Sequence, residues 1–197
     1  GHSRTLERSR MDSNRIEEAL ALALQAHQGQ VRKGSDTPYI MHPVEVGLML
    51  SQAELSDEAV CAGFLHDILE DTDMDIGRVK GLLGDRVAEL IEFMTEPEHD
   101  TRPWRQRKEH TIELASHTED REKLLLLLAD KLANIRSVQR DEKRLGGGIW
   151  DRFHAGREKQ AWYYKSLGEA LKPKIGEHPL YGEYREIVHH LFDKRKS

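Results

Sequence analysis

Cysteine is nearly absent from this chain: Cys61 is the only one among 197 residues, so no internal disulfide can form and the fold does not depend on an oxidising compartment. Long apolar runs are missing as well. The longest, Leu124 to Ala129, has six residues, against the roughly 20 needed for a helix to cross a bilayer. Aromatic residues are sparse at 6%, and there are 6 Pro and 15 Gly, so neither a collagen-like repeat nor low-complexity bias is present. Basic excess is lacking too. The 30 Lys and Arg face 35 Asp and Glu, for a net charge of −5. That balance opposes broad contact with a nucleic-acid backbone, whose affinity is largely electrostatic. A small phosphorylated ligand stays compatible, because a metal ion and a few local cations can hold it.

Residues 1–10, GHSRTLERSR, precede Met11 and have no apolar core for a signal peptide; they read as an expression scar or loose leader. They hold three Arg and one Glu, and without them the chain has 27 basic and 34 acidic residues, net −7. With no membrane span and no signal segment, the expected location is cytoplasmic, with neither a membrane nor a nucleic acid as partner. The composition leaves the oligomeric state open.

What is present is helical periodicity almost throughout. Ser13 to Gln28 places Ile16, Ala19, Leu20, Ala23, Leu24 and His27 at spacings of three and four. GQVRKGSDTPYI, residues 29–40, reads as a loop because Gly, Ser, Asp and Pro interrupt any regular element. Further helices are expected at about 43–53, at 57–71 with Ser56 as cap, at 75–83 and 85–94 around Gly84, at 105–117, at 119–140, at 151–171 and at 181–194. Five consecutive leucines, 124–128, cover every side of a helix, which predicts a central position in a bundle. GGG at 146–148 is expected to be a flexible break. The expected fold is all-α, a single-domain helical bundle over residues 11–197.

Three places concentrate metal-type ligands: His42 in YIMHP, His66-Asp67 with Glu70-Asp71 in FLHDILEDT, and Asp130 with Asn134 in LADKLANIRS. Each has an ordinary reading. A His before Pro at a helix start is commonly just polar, and a His-Asp pair on a helix is a common dipeptide. An Asp following a leucine run is less ordinary, because a buried carboxylate is costly unless paired or bound to a metal. Together, two imidazoles and two carboxylates make a mixed N/O set suited to Mn²⁺, Fe²⁺ or Zn²⁺. On a continuous helix, His66 and Glu70, and likewise Asp67 and Asp71, would lie along one face. Such an ion polarises phosphoryl oxygens and acidifies water, and Glu70 and Asp71 could orient or deprotonate that water. Arg32, Lys33, Lys131 and Arg136 are the cations nearest these motifs. His27 reads as a core or hydrogen-bonded residue of the first helix, and RPWRQRK at 102–108 as an exposed helix or lid.

RKGSDTPYIMHPVEV, GFLHDILEDT and LADKLANIRS, in that order and spacing, resemble the HD-domain phosphohydrolases. More narrowly they resemble the hydrolase domain of the RelA/SpoT-homologue family and its small hydrolase-only members, similar to the metazoan SpoT homologues. The similarity runs from about residue 13 to 140, and Trp150, Phe153, Glu158, Tyr164 and Leu167 are compatible with it. It implies an HD-type bundle that removes the 3′-pyrophosphate from guanosine tetra- or pentaphosphate, usually with Mn²⁺, giving GDP or GTP plus pyrophosphate. Carried over position by position, it implies His42, His66, Asp67 and Asp130 as metal ligands and Glu70 and Asp71 as the catalytic acidic pair. It also implies substrate contacts for Arg32, Asn134 and Ser137, with Lys33 and Lys131 meeting phosphates. The loop RKGSDTPY departs from the RKSGEPY of many long relatives, so Gly34 or Ser35 stands where their serine does. Long members add synthetase and regulatory domains, for which 197 residues leave no room, so a stand-alone hydrolase is expected. The alternatives are a phosphohydrolase of an adenosine alarmone or NADPH, since the metal motif does not specify the base, and a nucleotide-binding module whose activity has lapsed.

Overall fold

A computed structural model describes residues 2–97, 100–152 and 155–193; for residues 2–13 and 152 it describes the backbone alone. Its α-helices are α1 (His2–Ala26), α2 (Met41–Gln52), α3 (Asp57–Leu65), α4 (Ile68–Asp71), α5 (Ile76–Leu83) and α6 (Asp85–Met94), followed by α7 (Trp104–His117), α8 (Arg121–Leu145), α9 (Gly156–Ile175) and α10 (Pro179–Phe192). A 3-10 helix, η1 (Gly146–Arg152), joins α8 to the segment before α9. Among the described residues there is no strand, only an isolated bridge between Val31 and Pro38. The all-α expectation holds. None of the described helices is long and apolar enough to cross a membrane.

The chain groups into two compact units, one holding α1 to α6 and the other α7 to α10 with η1. In the first, α3 is the hub and packs on α1, α2 and α6. Its residues Ala59 to Leu65 are all buried, which a run of small and apolar side chains permits. Ser56 caps α3 by accepting from the Ala59 backbone N–H at 3.1 Å, which satisfies one of the donors a helix start leaves unpaired. Between α5 and α6, Gly84 adopts φ +94°, a conformation that side chains with a Cβ resist. Because of this, two short helices form there instead of one.

In the second unit, α8 packs against α9, α10 and η1. All five leucines from Leu124 to Leu128 are buried, at 0–5% exposure, as their distribution around the helix predicts. Burying leucine on all sides is worth roughly 2 kcal/mol per side chain, which makes α8 the stabilising axis of this unit.

Several expectations change, and one of them is the helix expected over 151–171, which starts instead at Gly156 and runs to Ile175. The helix expected over 57–71 breaks after Leu65, and His66 and Asp67 form a turn in which Asp67 has φ −112° and ψ 10°. The glycines at 146–148 belong to η1. The helix expected to end near Arg140 runs on to Leu145, where Gly146 at φ +76° stops it. Phe153, His99, His154 and the expected end at Lys194 lie outside the described residues.

Candidate metal centre

His42 enters at the second position of α2, and His66 and Asp67 follow α3 directly. One donor atom from each of the three lies within 4.8 Å of the others. All three side chains are buried, at 4%, 4% and 7% exposure. The close approach of α2 and α3 explains this convergence. A Cβ added at Gly63 would stand 2.9 Å from Gly47 Cα, so the two helix backbones touch with no side chain between them. The His42 and His66 rings meet edge to face, with centroids 5.2 Å apart.

The orientation of His66 is set from behind. Its Nδ1–H donates to the Gly63 carbonyl at 2.8 Å, which selects the tautomer whose Nε2 is the available ligand atom. That Nε2 lies 3.8 Å from Asp67 Oδ2. Metal–ligand bonds of about 2.0–2.2 Å place neighbouring donors roughly 3–4 Å apart, so a single ion can reach all three donors after shifts of less than an ångström. Two imidazoles and a buried carboxylate therefore fit a divalent ion of borderline character. Asp67 Oδ1 is buried without a hydrogen bond and faces His27 Nε2 at 3.3 Å.

Charge is distributed unevenly over the carboxyls. Burial pushes Asp67 up, but the His27, His66 and Tyr39 groups around it outweigh this and hold it below its ordinary value. Asp67 is accordingly ionised and ready to ligate. Glu70 and Asp71 are both raised, first by burial of their carboxyl groups and then by neighbouring carboxylates. Carboxyls raised in this way hold and release protons more readily near neutrality. Glu70 also accepts from the backbone N–H of Glu96, just beyond α6.

The other expected residues are distributed as follows. Arg32 and Lys33 lie in the loop between α1 and α2, Arg32 half-buried and Lys33 exposed. That loop closes as a tight ribbon: the Arg32 N–H donates to the Thr37 carbonyl at 2.9 Å and the Tyr39 N–H to the Gln30 carbonyl at 2.9 Å. Asp130, Asn134 and Ser137 belong to the second unit and share one stripe of α8, with Asp130 buried and the other two half-buried. Lys131 Nζ lies 3.2 Å from Asp130 Oδ2. Burial opposes the Lys131 charge, and Tyr163, Asp130 and Tyr164 outweigh that and raise its pKa. Arg136 forms a two-pronged pair with Glu183, at 2.7 and 2.6 Å, so its guanidinium is committed to joining α8 to α10. The basic segment 102–108 starts α7, and Trp104 packs against Trp162 and Tyr163.

Sequence reasoning assigned no role to Tyr39 or Gln30. The Tyr39 hydroxyl donates to Asp67 Oδ2, and Gln30 accepts from His27 Nδ1–H at 2.9 Å. Tyr39 sits inside the YIMHP motif, three residues before His42, and that proximity was the only available signal.

The HD-domain family model matches residues 19–160, and the chain belongs to the HD-domain family. It is 36% identical over 131 residues to a guanosine-3′,5′-bis(diphosphate) 3′-pyrophosphohydrolase of Aquifex aeolicus, covering 66% of this chain and 19% of that protein. The chain thus spans about a fifth of the length of the long bacterial relatives it matches. It is 39% identical over 126 residues to the mouse guanosine-3′,5′-bis(diphosphate) 3′-pyrophosphohydrolase MESH1, covering 62% of this chain and 69% of that protein. A solved structure, described as a metazoan ortholog of SpoT that hydrolyzes ppGpp and plays a role in starvation responses, matches at TM-score 0.74 and 27% identity. That match covers 89% of this chain and 94% of the other.

Proposed function

We propose that this chain is a metal-dependent hydrolase that removes the 3′-pyrophosphate from guanosine tetra- or pentaphosphate, giving GDP or GTP plus pyrophosphate. The observation that carries the reading is the buried His42–His66–Asp67 cluster, in a chain whose relatives of similar scale are named for that reaction. Residues 11–197 act as one hydrolase domain, a reading supported by a family match that runs from 19 to 160. The ion is Mn²⁺, in preference to Zn²⁺ or Fe²⁺, held by His42, His66 and Asp67, with Asp130 as the fourth ligand on the strength of its motif and its burial in α8.

When bound, the ion supplies Lewis-acid polarisation of a phosphoryl oxygen and an acidified water. The remaining work falls to side chains. Glu70 and Asp71, both raised by burial, take a proton from the attacking water and return one to the departing 3′-oxygen. Arg32, Lys33 and Lys131 neutralise phosphates, and Asn134 and Ser137 hydrogen-bond the sugar or phosphate from the Asp130 stripe of α8. The substrate is a small nucleotide, the reaction needs no membrane or nucleic acid, and it takes place in the cytoplasm.

The test is incubation with guanosine tetraphosphate and Mn²⁺, followed by ion-exchange separation of products. The expected outcome is GDP and pyrophosphate in equal amounts, suppressed by EDTA. Turnover of NADPH or an adenosine alarmone in its place would reassign the substrate while keeping the metal chemistry. Metal uptake without turnover of any of these would support a binding module.

A further inference from the structure

Asp67 is the least constrained of the three clustered ligands by its own backbone. It sits in the turn between α3 and α4, outside regular helical geometry, and two rotatable bonds separate its carboxylate from that turn. Two side chains from elsewhere in the first unit stand against it, and Tyr39 holds it. The Tyr39 hydroxyl, from the loop before α2, donates to Oδ2. His27 Nε2, from just beyond α1, faces Oδ1 at 3.3 Å. His27 is 2% exposed, so this polar pair is out of bulk water, where a misplaced carboxylate is costly.

Tyr39 and His27 are themselves braced. Their rings lie 5.0 Å apart. Gln30 accepts from His27 Nδ1–H at 2.9 Å and donates through Nε2 to the Asp71 carbonyl at 3.1 Å. The chain before α2 is thereby tied to the far end of α4, with Asp67 between. A carboxylate has about four lone-pair positions. The Tyr39 hydroxyl uses one on Oδ2 and Oδ1 makes no hydrogen bond, so the others are left for a cation.

We infer that Tyr39, its ring packed against His27 and the Gln30 brace, is a positioning residue that grips Asp67 Oδ2 and thereby sets the affinity of the His42–His66–Asp67 cluster for a divalent cation. This rests on the metal-centre reading above and deepens it. Outer partners of metal ligands typically contribute 10–100-fold in metal affinity, because without them the ligand must be ordered at the moment of binding.

The experiment is calorimetric titration of EDTA-stripped full chain with Mn²⁺ alone, with the thermal midpoint of each metal-free protein measured alongside. Tyr39→Phe removes one oxygen from a half-buried site and should weaken Mn²⁺ binding about 10–100-fold while the metal-free midpoint stays near wild type. Tyr181→Phe is the control: it deletes a buried hydroxyl that donates to the Gly168 carbonyl at 3.0 Å in the second unit, and it should leave Mn²⁺ affinity unchanged. If the wild type binds Mn²⁺ and Tyr39→Phe binds it equally well or more tightly, the clamp is wrong. An equal loss in Tyr181→Phe would overturn it too. No Mn²⁺ uptake by the wild type would overturn the metal reading itself, and the clamp with it.

Discussion

Replacing Gly63 by Ala adds one methyl at the point where α2 and α3 touch. The new Cβ would lie 2.9 Å from Gly47 Cα, 2.9 Å from Leu50 Cδ1 and 3.1 Å from Gly47 N. Carbon atoms prefer about 3.5–4.0 Å, so the helices must part by roughly 0.6 Å or more. Two of the three obstacles are backbone atoms, which cannot swing aside. Overpacking of this kind costs about 1–3 kcal/mol. Alanine's better helix propensity offsets about 0.8–1 kcal/mol of that, leaving a net loss of about 1 kcal/mol and at most 2. For a chain of this size that is a fall in thermal midpoint of about 2–8 °C. The change also acts on the candidate centre, because α2 carries His42 and the Gly63 carbonyl receives the His66 Nδ1–H. Separating the helices therefore weakens Mn²⁺ binding as well as the fold. The assay is thermal unfolding followed by circular dichroism, in EDTA and in Mn²⁺. Gly63→Ala should lower the midpoint in EDTA and lower it further in Mn²⁺. Gly81, in α5, has nothing within 4 Å of an added Cβ, so Gly81→Ala should raise the midpoint through propensity alone. A Gly63→Ala midpoint at or above wild type would refute backbone contact between α2 and α3.

Other outcomes follow from the same geometry. Asp130→Ala should abolish metal retention and turnover together, whereas Glu70→Ala should retain the metal and lower turnover about 10²–10⁴-fold; equal metal loss in both, by elemental analysis, would make Glu70 a ligand or a folding residue. Leu126→Ala empties a fully buried site in α8 and should cost about 2–5 kcal/mol in chemical denaturation. Glu58 is held below its ordinary value by its own backbone N–H at the start of α3 and by Arg15, whose Nη1 is 3.2 Å away. Its contribution is therefore present above the unfolded glutamate value of about 4.3 and is lost as pH falls through the lower folded value. Glu58→Gln should flatten the decline of the midpoint below about pH 4.3, by less than about 1 kcal/mol for a part-exposed pair.

Much of the architecture was legible in the sequence because it is encoded locally. Ser56 as a cap, Gly84 as a break and the burial of Leu124 to Leu128 each depend on a few neighbouring residues, and each is where the pattern placed it. The clustering of His42 with His66 and Asp67 was legible through the motifs. The turn at His66 and Asp67 was not, because FLHDILED keeps its helical spacing across the break and nothing in it resembles a stop signal. The fate of GGG at 146–148 was hidden for the opposite reason: glycine accepts many conformations, and these exposed three open the 3-10 helix whose Ile149 and Trp150 are buried. Tyr39, His27 and Gln30 escaped because the residues of the α3–α4 region that they meet, Asp67 and Asp71, are distant in sequence. Their convergence depends on the ribbon closed by the Arg32–Thr37 and Gln30–Tyr39 backbone bonds, which no periodicity announces.

In the proposed reaction one divalent ion, held by the buried His–His–Asp cluster, is required for hydrolysis of the 3′-diphosphate. The most direct test strips the chain with EDTA, dialyses wild type and His66→Ala against Mn²⁺, counts bound ions per chain, and assays the same samples for pyrophosphate release from guanosine tetraphosphate. The expected result is one tightly held ion and restored turnover in the wild type, with neither in His66→Ala. Pyrophosphate release by the stripped wild type, or by His66→Ala without a bound ion, would contradict the account.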